Sequence, residues 1–458
     1  MNHRAINRQV ARRTFLQSSS LAATAWWVGG SAQHALSQSP NEQVNIACIG
    51  VGGKGVRDSN DVAKYGNVVA ICDIDDKHLG KASETFPKAS KFSDYRILLE
   101  KMDRQIDAVV VSAPDHHHTP ASVRAMRMGK HIYCQKPLTH TVAEARLMRQ
   151  TANDYNVITQ MGNQGTSADG FRAGLELLQA NPVGAIREVH AWTNRPFKYW
   201  KQAPDIVARP SERPDIPPHV KWDLFLGPAP YRPYHSAYHP HDWRGWWDFG
   251  TGSMGDMACH IANLAFKSLK LGLPDRVTAV SGEVNSETYP AWATMTYDFP
   301  AREDMPPVKF TWYEGAKDGK LNLPATDLFY GHEIPPGGMV FVGEHGSILS
   351  ADDYGAKQVL LPQEKFADYQ LPEPTLERLG AESYDDNHKR EWIRAIQGGP
   401  ATMSHFDYAA TMTEAMLLGN VAVRLGEPLE YDGKTGRVTN CPAAAAHLDP
   451  EYRAGWEV

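Results

Sequence analysis

The stretch Gly50-Val51-Gly52-Gly53-Lys54-Gly55 constrains this chain more than any other feature, because it directly follows a short apolar run, Val44–Ile49, and leads into a segment of helical length. Glycines at that spacing allow a tight turn, a close approach of backbone to an anion, and close packing of the following helix on the strand. The start of such a helix presents unpaired N–H groups that suit a pyrophosphate. A second apolar run, Val68–Cys72, ends in Asp73, 23 residues beyond Gly50. An acid there accepts from the ribose hydroxyls of a dinucleotide and repels a 2′-phosphate. No arginine follows it closely, since the next residues are Ile74-Asp75-Asp76-Lys77, so NAD is favoured over NADP. Lys77 is the one nearby cation that could meet a phosphate. Gly50, Gly52, Gly53, Gly55 and Asp73 are therefore candidate cofactor contacts.

Two further apolar runs, Ala108–Ser112 and His131–Cys134, continue the pattern, with helical spacing over 120–128 and 142–155 between and after them. Strands alternating with helices predict an α/β domain, a doubly wound parallel sheet over residues 42–164. Ala113 and Pro114, which close the third run, and His118 join the candidate cofactor contacts. Beyond residue 165 the pattern changes. Residues 196–248 are rich in proline and aromatics without a clear period, and the segments 276–283, 293–299, 308–314 and 339–349 alternate as antiparallel strands do. Helical spacing over 408–425 stops at Gly426. The expectation is an α+β domain over 165–458 with a large, mainly antiparallel sheet and an irregular loop at 196–248. A chain of 458 residues is long enough for two such domains.

The first residues read differently. Arg12-Arg13-Thr14-Phe15-Leu16-Gln17 precedes a modestly apolar run over 18–28 and small residues up to Ser37, the order expected of a twin-arginine export signal over 1–38. That run is too short to span a bilayer, and no later stretch reaches the length of a membrane span. With 47 basic against 53 acidic residues the net charge is −6, which supplies no electrostatic footprint for nucleic acid and leaves a small molecule as the expected partner. Five cysteines without a CxxC pair argue against a disulfide framework, and Cys48 and Cys72 fit as small buried hydrophobes.

Chemistry concentrates at two places. Lys136, in Tyr133-Cys134-Gln135-Lys136-Pro137, falls at the C-terminal edge of the parallel sheet, where such sheets bind ligands. Asp256 and His260, in Gly252-Ser253-Met254-Gly255-Asp256-Met257-Ala258-Cys259-His260, are four residues apart, so on a helix they share a face and the carboxylate could hold the imidazole. His116-His117-His118 would supply metal ligands by type, but neighbouring positions point apart and no HxxxH spacing occurs, so no metal is expected. Six of the 12 tryptophans lie between Trp192 and Trp247, and aromatic faces among polar groups suit the CH faces of sugars as well as they suit a core. His116, Asn163, Tyr199 and Arg244 are the candidate substrate contacts.

The fingerprint with its trailing acid, Ser112-Ala113-Pro114-Asp115 with His118, the Gln135-Lys136-Pro137 segment and the DxxxH segment ending at His260 together resemble the Gfo/Idh/MocA oxidoreductases, the group of glucose-fructose oxidoreductase and inositol dehydrogenase. The resemblance runs over nearly the whole chain after the signal. It departs at Gln135, where the family usually has glutamate. What it implies is oxidation of a secondary hydroxyl of a sugar, polyol or glycoside, with His260 as base, Lys136 steadying the oxygen and Lys136 also near the cofactor, and Asp256 as a second polar contact. Homo-oligomers are common in this group. An exported member needs a cofactor that stays bound. Two alternatives remain: transient 3-keto chemistry that cleaves a glycoside, and a binding protein without chemistry.

Overall fold

A computed structural model describes residues 43–380 and 383–458; the segment read as an export signal lies outside them. Six strands, β1 (Asn45–Ile49), β2 (Asn67–Cys72), β3 (Ser90–Phe92), β4 (Ala108–Val111), β5 (His131–Cys134) and β6 (Thr159–Met161), pair in parallel in the order β3-β2-β1-β4-β5-β6. Helices cover both faces, which is why β4 reads Ala-Val-Val-Val and is buried throughout. The chain order reverses at β1, between β2 and β4, and the crevice beyond the carboxyl ends of these strands is where a ligand binds in such sheets.

The second sheet holds ten strands: β7 (Ile186–Thr193), β8 (Arg276–Ser281), β9 (Trp292–Phe299), β10 (Val308–Lys317), β11 (Lys320–Leu321), β12 (Gly338–Gly343), β13 (Gly346–Ser350), β14 (Gln358–Leu361), β15 (Leu429–Asp432) and β16 (Arg437–Val438). All its pairings are antiparallel except β7 with β10. Strand β9 alternates strictly, sending Met295, Tyr297 and Phe299 under the helix Phe406–Leu425. That helix lies so close that a Cβ on Gly419 would fall 2.0 Å from the Tyr297 hydroxyl, so only glycine permits this packing. Each buried aromatic of this layer stabilises the fold by about 1.5–3 kcal/mol.

Several sequence expectations need correction. Residues 339–349 are not one strand but the two arms of a hairpin, β12 and β13, turned where Gly343 pairs with Gly346. Strand β7 was not anticipated, because Arg187, Glu188 and His190 interrupt its apolar pattern, yet it sits between β12 and β10. The helices Asp169–Gln179 and Tyr384–Ile396 were also missed. The loop at 196–248 builds its own small core from Trp222, Phe225, Tyr238 and Trp246 with Phe249, so most of its aromatics pack on one another. All five cysteines are unpaired, and four of them are buried.

Candidate active site

The turn after β1 takes the conformation its glycines permit. Gly50 has φ +77° and a Cβ there would strike the Ser112 backbone at 2.7 Å, while a Cβ on Gly55 would fall 1.9 Å from the Gly50 carbonyl oxygen. Gly55 therefore lets the helix Lys54–Val62 start directly against the turn, as expected. At Gly52 the close neighbour is the His78 ring, 2.3 Å from a built Cβ. Asp73 directly follows β2 and its Oδ2 accepts from the Val51 and Gly52 amides at 2.9 and 3.1 Å, which fixes the turn. His78 Nδ1 stands 3.7 Å from Asp73 Oδ1, and the proximity of that carboxylate raises its pKa.

A cleft of about 470 Å³ opens over this turn and runs between the two sheets. Gly50, Gly52, Gly53, Asp73, Ala113 and Pro114 border it, as do Lys136, Arg244, Asp256 and His260. A nicotinamide dinucleotide fits this donor set: a carboxylate at the β2 end, a glycine turn leading into a helix start, and at the far end a buried His260 Nδ1 that has no hydrogen-bond partner among the described residues. Gly55 lies outside the lining and serves the turn alone.

The polar end is organised by Asp256. Its helix, Gly252–Ile261, is buried at every residue and begins where Thr251 donates from its amide and hydroxyl to Asp115, at 3.1 and 2.6 Å. Asp256 Oδ1 accepts from Lys136 Nζ at 2.7 Å, and the ammonium also reaches the Asp256 carbonyl at 3.0 Å. Arg244 Nε stands 3.4 Å from Oδ1 and Arg195 Nε 3.6 Å from Oδ2. Burial pushes the Asp256 carboxyl up, but Lys136, then Arg244 and Arg195, outweigh it and hold the group well below the ordinary carboxylate range. The expected Asp256–His260 pair is not made, because the carboxylate is taken by cations from other elements. Burial first, and then the Lys136 charge, drive the His260 pKa well below 6.5, so its imidazole is neutral. Its ring packs edge-on to Tyr354 with centroids 5.0 Å apart.

The histidine run is held by backbone carbonyls, and of its three members only His117 borders the cleft. His118 bridges two loops, Nδ1 to the Pro137 carbonyl at 2.6 Å and Nε2 to the Ala113 carbonyl at 2.8 Å, so it holds the Lys136 turn against the β4 loop instead of bordering the cleft. His116 lies against the Phe249 and Phe225 carbonyls and faces a separate cavity of about 260 Å³. His117 also reaches the Phe225 carbonyl. Among the described residues no cluster suited to a metal ion occurs. Asn163 is buried behind the cleft, with its amide 3.3 Å from the Cys259 carbonyl. Tyr199 lies outside the lining too, under the Arg195 guanidinium, 3.2 Å from its ring centroid. Trp243 alone of the loop tryptophans borders the cleft, beneath Arg244 at 4.4 Å.

Sequence reasoning missed four residues that shape this site. Arg195 had a signal in the cation-aromatic stretch Arg195–Tyr199 and Asp115 in the Ser112-Ala113-Pro114-Asp115 motif, but Asp58 and Lys389 had none. Asp58 is fully buried below the cleft, accepting from Gln135 Nε2 at 2.7 Å and Ser112 Oγ at 2.9 Å. Lys389, from the helix Tyr384–Ile396, reaches Asp58 at 2.6 Å and Asp385 at 3.3 Å, and Lys54 contacts the same two carboxylates at 3.1 and 2.7 Å.

Residues 44–163 match the model of the GFO_IDH_MocA oxidoreductase family, NAD-binding Rossmann fold, and residues 194–299 match that of the family's C-terminal alpha/beta domain. The dTDP-3,4-didehydro-2,6-dideoxy-alpha-D-glucose 3-reductase of Streptomyces violaceoruber is 31% identical over 110 residues, 24% of this chain and 31% of that one. Glycosyl hydrolase family 109 protein 2 of Shewanella sp. (strain ANA-3) is 29% identical over 160 residues, 29% of this chain and 35% of its own. The chain thus spans about a third of the length of these two relatives. Among solved structures, the WlbA dehydrogenase of Bordetella pertussis, in complex with NADH and UDP-GlcNAcA, has a TM-score of 0.59 at 14% identity, covering 85% of this chain and 99% of its own, a likeness of fold. The models of both domains of the Gfo/Idh/MocA oxidoreductase family are thus matched in order along one polypeptide, the NAD-binding Rossmann fold first and the C-terminal alpha/beta domain after it.

Proposed function

We propose that this protein oxidises or reduces a secondary hydroxyl of a sugar, polyol or glycoside with NAD(H) held in the cleft. The observation that carries the reading is the convergence on one cleft of a neutral His260, whose Nδ1 has no hydrogen-bond partner among the described residues, and the Lys136–Asp256 pair. When bound, the nicotinamide accepts a hydride from the carbinol carbon or returns it. His260 takes the hydroxyl proton as that carbon is oxidised and returns it on reduction. Lys136, its charge balanced by Asp256, donates to the substrate oxygen and stabilises the negative charge that develops there. Asp73 binds the ribose hydroxyls and favours NAD over NADP.

The twin-arginine pattern at Arg12-Arg13 supports export of the folded protein with its cofactor already in place. Outside the cytoplasm a hydride taken from one substrate must then be returned within the same site or passed to a second sugar. Similarity to a family 109 glycosyl hydrolase favours a second reading, in which transient oxidation to a ketone acidifies the adjacent C–H and a glycoside is eliminated. Mass spectrometry of the supernatant from denatured, full-length protein tests the first step. NAD(H) near one per chain is expected, and protein that carries none and binds none on titration overturns the redox reading. The same holo-protein, given sugar pairs and aryl glycosides in turn, separates hydride exchange from glycoside cleavage.

A further inference from the structure

The cations at the reacting end of the cleft outnumber the carboxylates in contact with them. Lys136, Arg195 and Arg244 converge there, and the acids within ion-pair distance are Asp256 and Asp115. Lys136 takes Asp256 Oδ1 at 2.7 Å, and Arg244 is answered by both oxygens of Asp115 at 3.3 Å. Arg195 is left over. Its carboxylate contact is Asp256 Oδ2 at 3.6 Å, too long for a hydrogen bond, and among the described residues its one side-chain hydrogen bond goes to the neutral Asn194 Oδ1 at 2.9 Å. Asp353 lies within electrostatic reach of both Arg195 and Asp256, where burial raises its pKa and Arg195 lowers it, but it makes no ion pair with Arg195 among the described residues.

The guanidinium is nevertheless held in place. It stacks on the Tyr199 ring at 3.2 Å, the Arg195 amide donates to Thr193 Oγ1 at 3.3 Å, and the side chain is only 15% exposed while bordering the cleft. A planar fork fixed by stacking, short of one negative partner and facing a ligand cleft, is the arrangement that binds a carboxylate through two parallel N–H donors. A neutral hydroxyl offers no charge to offset the desolvated cation.

Resting on the oxidoreductase reading above, we propose that the substrate is a sugar acid and that Arg195 is the residue that selects its carboxylate. The alcohol to be oxidised then faces Lys136 and His260 while the acid group is anchored beside it by Arg195, which stands at the other oxygen of the Asp256 carboxylate and is stacked on Tyr199. This also gives the loop at 196–248 a specific task, because Tyr199 sets the plane of the guanidinium without touching the ligand itself.

The test compares uronates with their parent aldoses, D-glucuronate with D-glucose, D-galacturonate with D-galactose and D-mannuronate with D-mannose, on the full-length, NAD-loaded protein. Binding is followed by tryptophan fluorescence and, in the same cuvette, hydride transfer by NADH absorbance. At least one acid is expected to bind about tenfold or more tightly than its neutral parent, as a charge-assisted pair requires. Arg195→Met should erase that ratio, and Arg195→Lys, which keeps the charge but loses the fork, should restore part of it. Equal or tighter binding of the neutral sugars overturns the proposal, as does an acid preference that survives Arg195→Met, or failure of every acid in the panel to bind. Binding of an acid through Arg195 without any NADH signal would uphold the carboxylate site and overturn hydride transfer instead, so the two failures are distinguishable.

Discussion

Gln135 donates its side-chain amide to Asp58 across 2.7 Å, and this bond explains the residue that stands where the family usually has glutamate. Lys54 and Lys389 each contact both Asp58 and Asp385 under the cleft, and Arg57 meets Asp385 as well at 3.3 Å. Burial pushes the Asp58 carboxyl up, but Lys389 and Lys54 outweigh it and keep the group ionised. A glutamate at 135 would replace the amide donor to Asp58 with a second carboxylate facing it. The neighbouring residue in the chain is Lys136, so the network also sets where that ammonium stands.

Gln135→Glu is accordingly expected to lower stability by about 2–3 kcal/mol and to cut hydride transfer, because an uncompensated buried charge is costly. Adding Asp58→Asn reverses donor and acceptor at the same net charge and should recover most of both losses. Chemical denaturation and turnover of the single and double variants decide it. A double variant no better than Gln135→Glu alone means the two side chains are not complementary partners.

Replacing Lys136 by Ala should reduce hydride transfer by about 10²–10³, the usual cost of removing one donor to a developing oxyanion. His260→Ala should cost about 10²–10⁴ as loss of a general base. Both variants should retain bound NAD(H), since neither residue holds the turn after β1. Near-normal turnover in either variant removes it from the mechanism.

The pH profile follows from the low pKa of His260. An ordinary histidine at 6.5 would protonate and stop accepting a proton as pH falls through that value, whereas burial and the Lys136 charge keep His260 neutral to lower pH. The acid limb of kcat/KM should therefore fall clearly below 6.5. A limb centred at or above that value would identify a different base.

Asp73→Ala should loosen the cofactor in two ways, by removing the ribose acceptor and by freeing the Val51 and Gly52 amides from their shared carboxylate oxygen. A loss of about tenfold or more in NAD affinity is expected, with a weaker bias against NADP, since each charge-assisted bond contributes about 1.5–3 kcal/mol. Titration of cofactor-stripped protein with both dinucleotides measures it, and unchanged affinity and selectivity would take the ribose away from Asp73.

Glu314, on β10, is buried with the Trp312 indole N–H donating to it at 2.7 Å, and burial raises its pKa from 4.5 to about 7. A carboxyl raised on folding is neutral in the native state, so its contribution is fully present below pH 4.5 and is lost as pH rises through about 7. Glu314→Gln keeps the acceptor and cannot ionise. Its melting temperature should match the parent at pH 4 and exceed it by several degrees at pH 8, from roughly 3 kcal/mol. An equal shift at both pH values would mean the gain is not electrostatic.

The local pattern of residues determined the parallel sheet, the glycine turn and Asp73 at the end of β2, because strand and turn geometry depend on near neighbours. It also placed Lys136 at a strand end and Asp256 and His260 on one helix. Which partner each charge takes was decided only by the tertiary structure. Spacing on a helix offers Asp256 to His260, yet a buried carboxylate is stabilised most by a full cation, and Lys136 arrives from 120 residues away. The same holds for Asp58, which is met by Lys389 from another helix, and for His116 and His118, whose rings are turned toward backbone carbonyls and away from the cleft. Arg195 and Tyr199 are close in sequence, but only the fold shows the guanidinium bordering the cleft with the ring behind it, since desolvation and charge balance are set by everything that packs around a group.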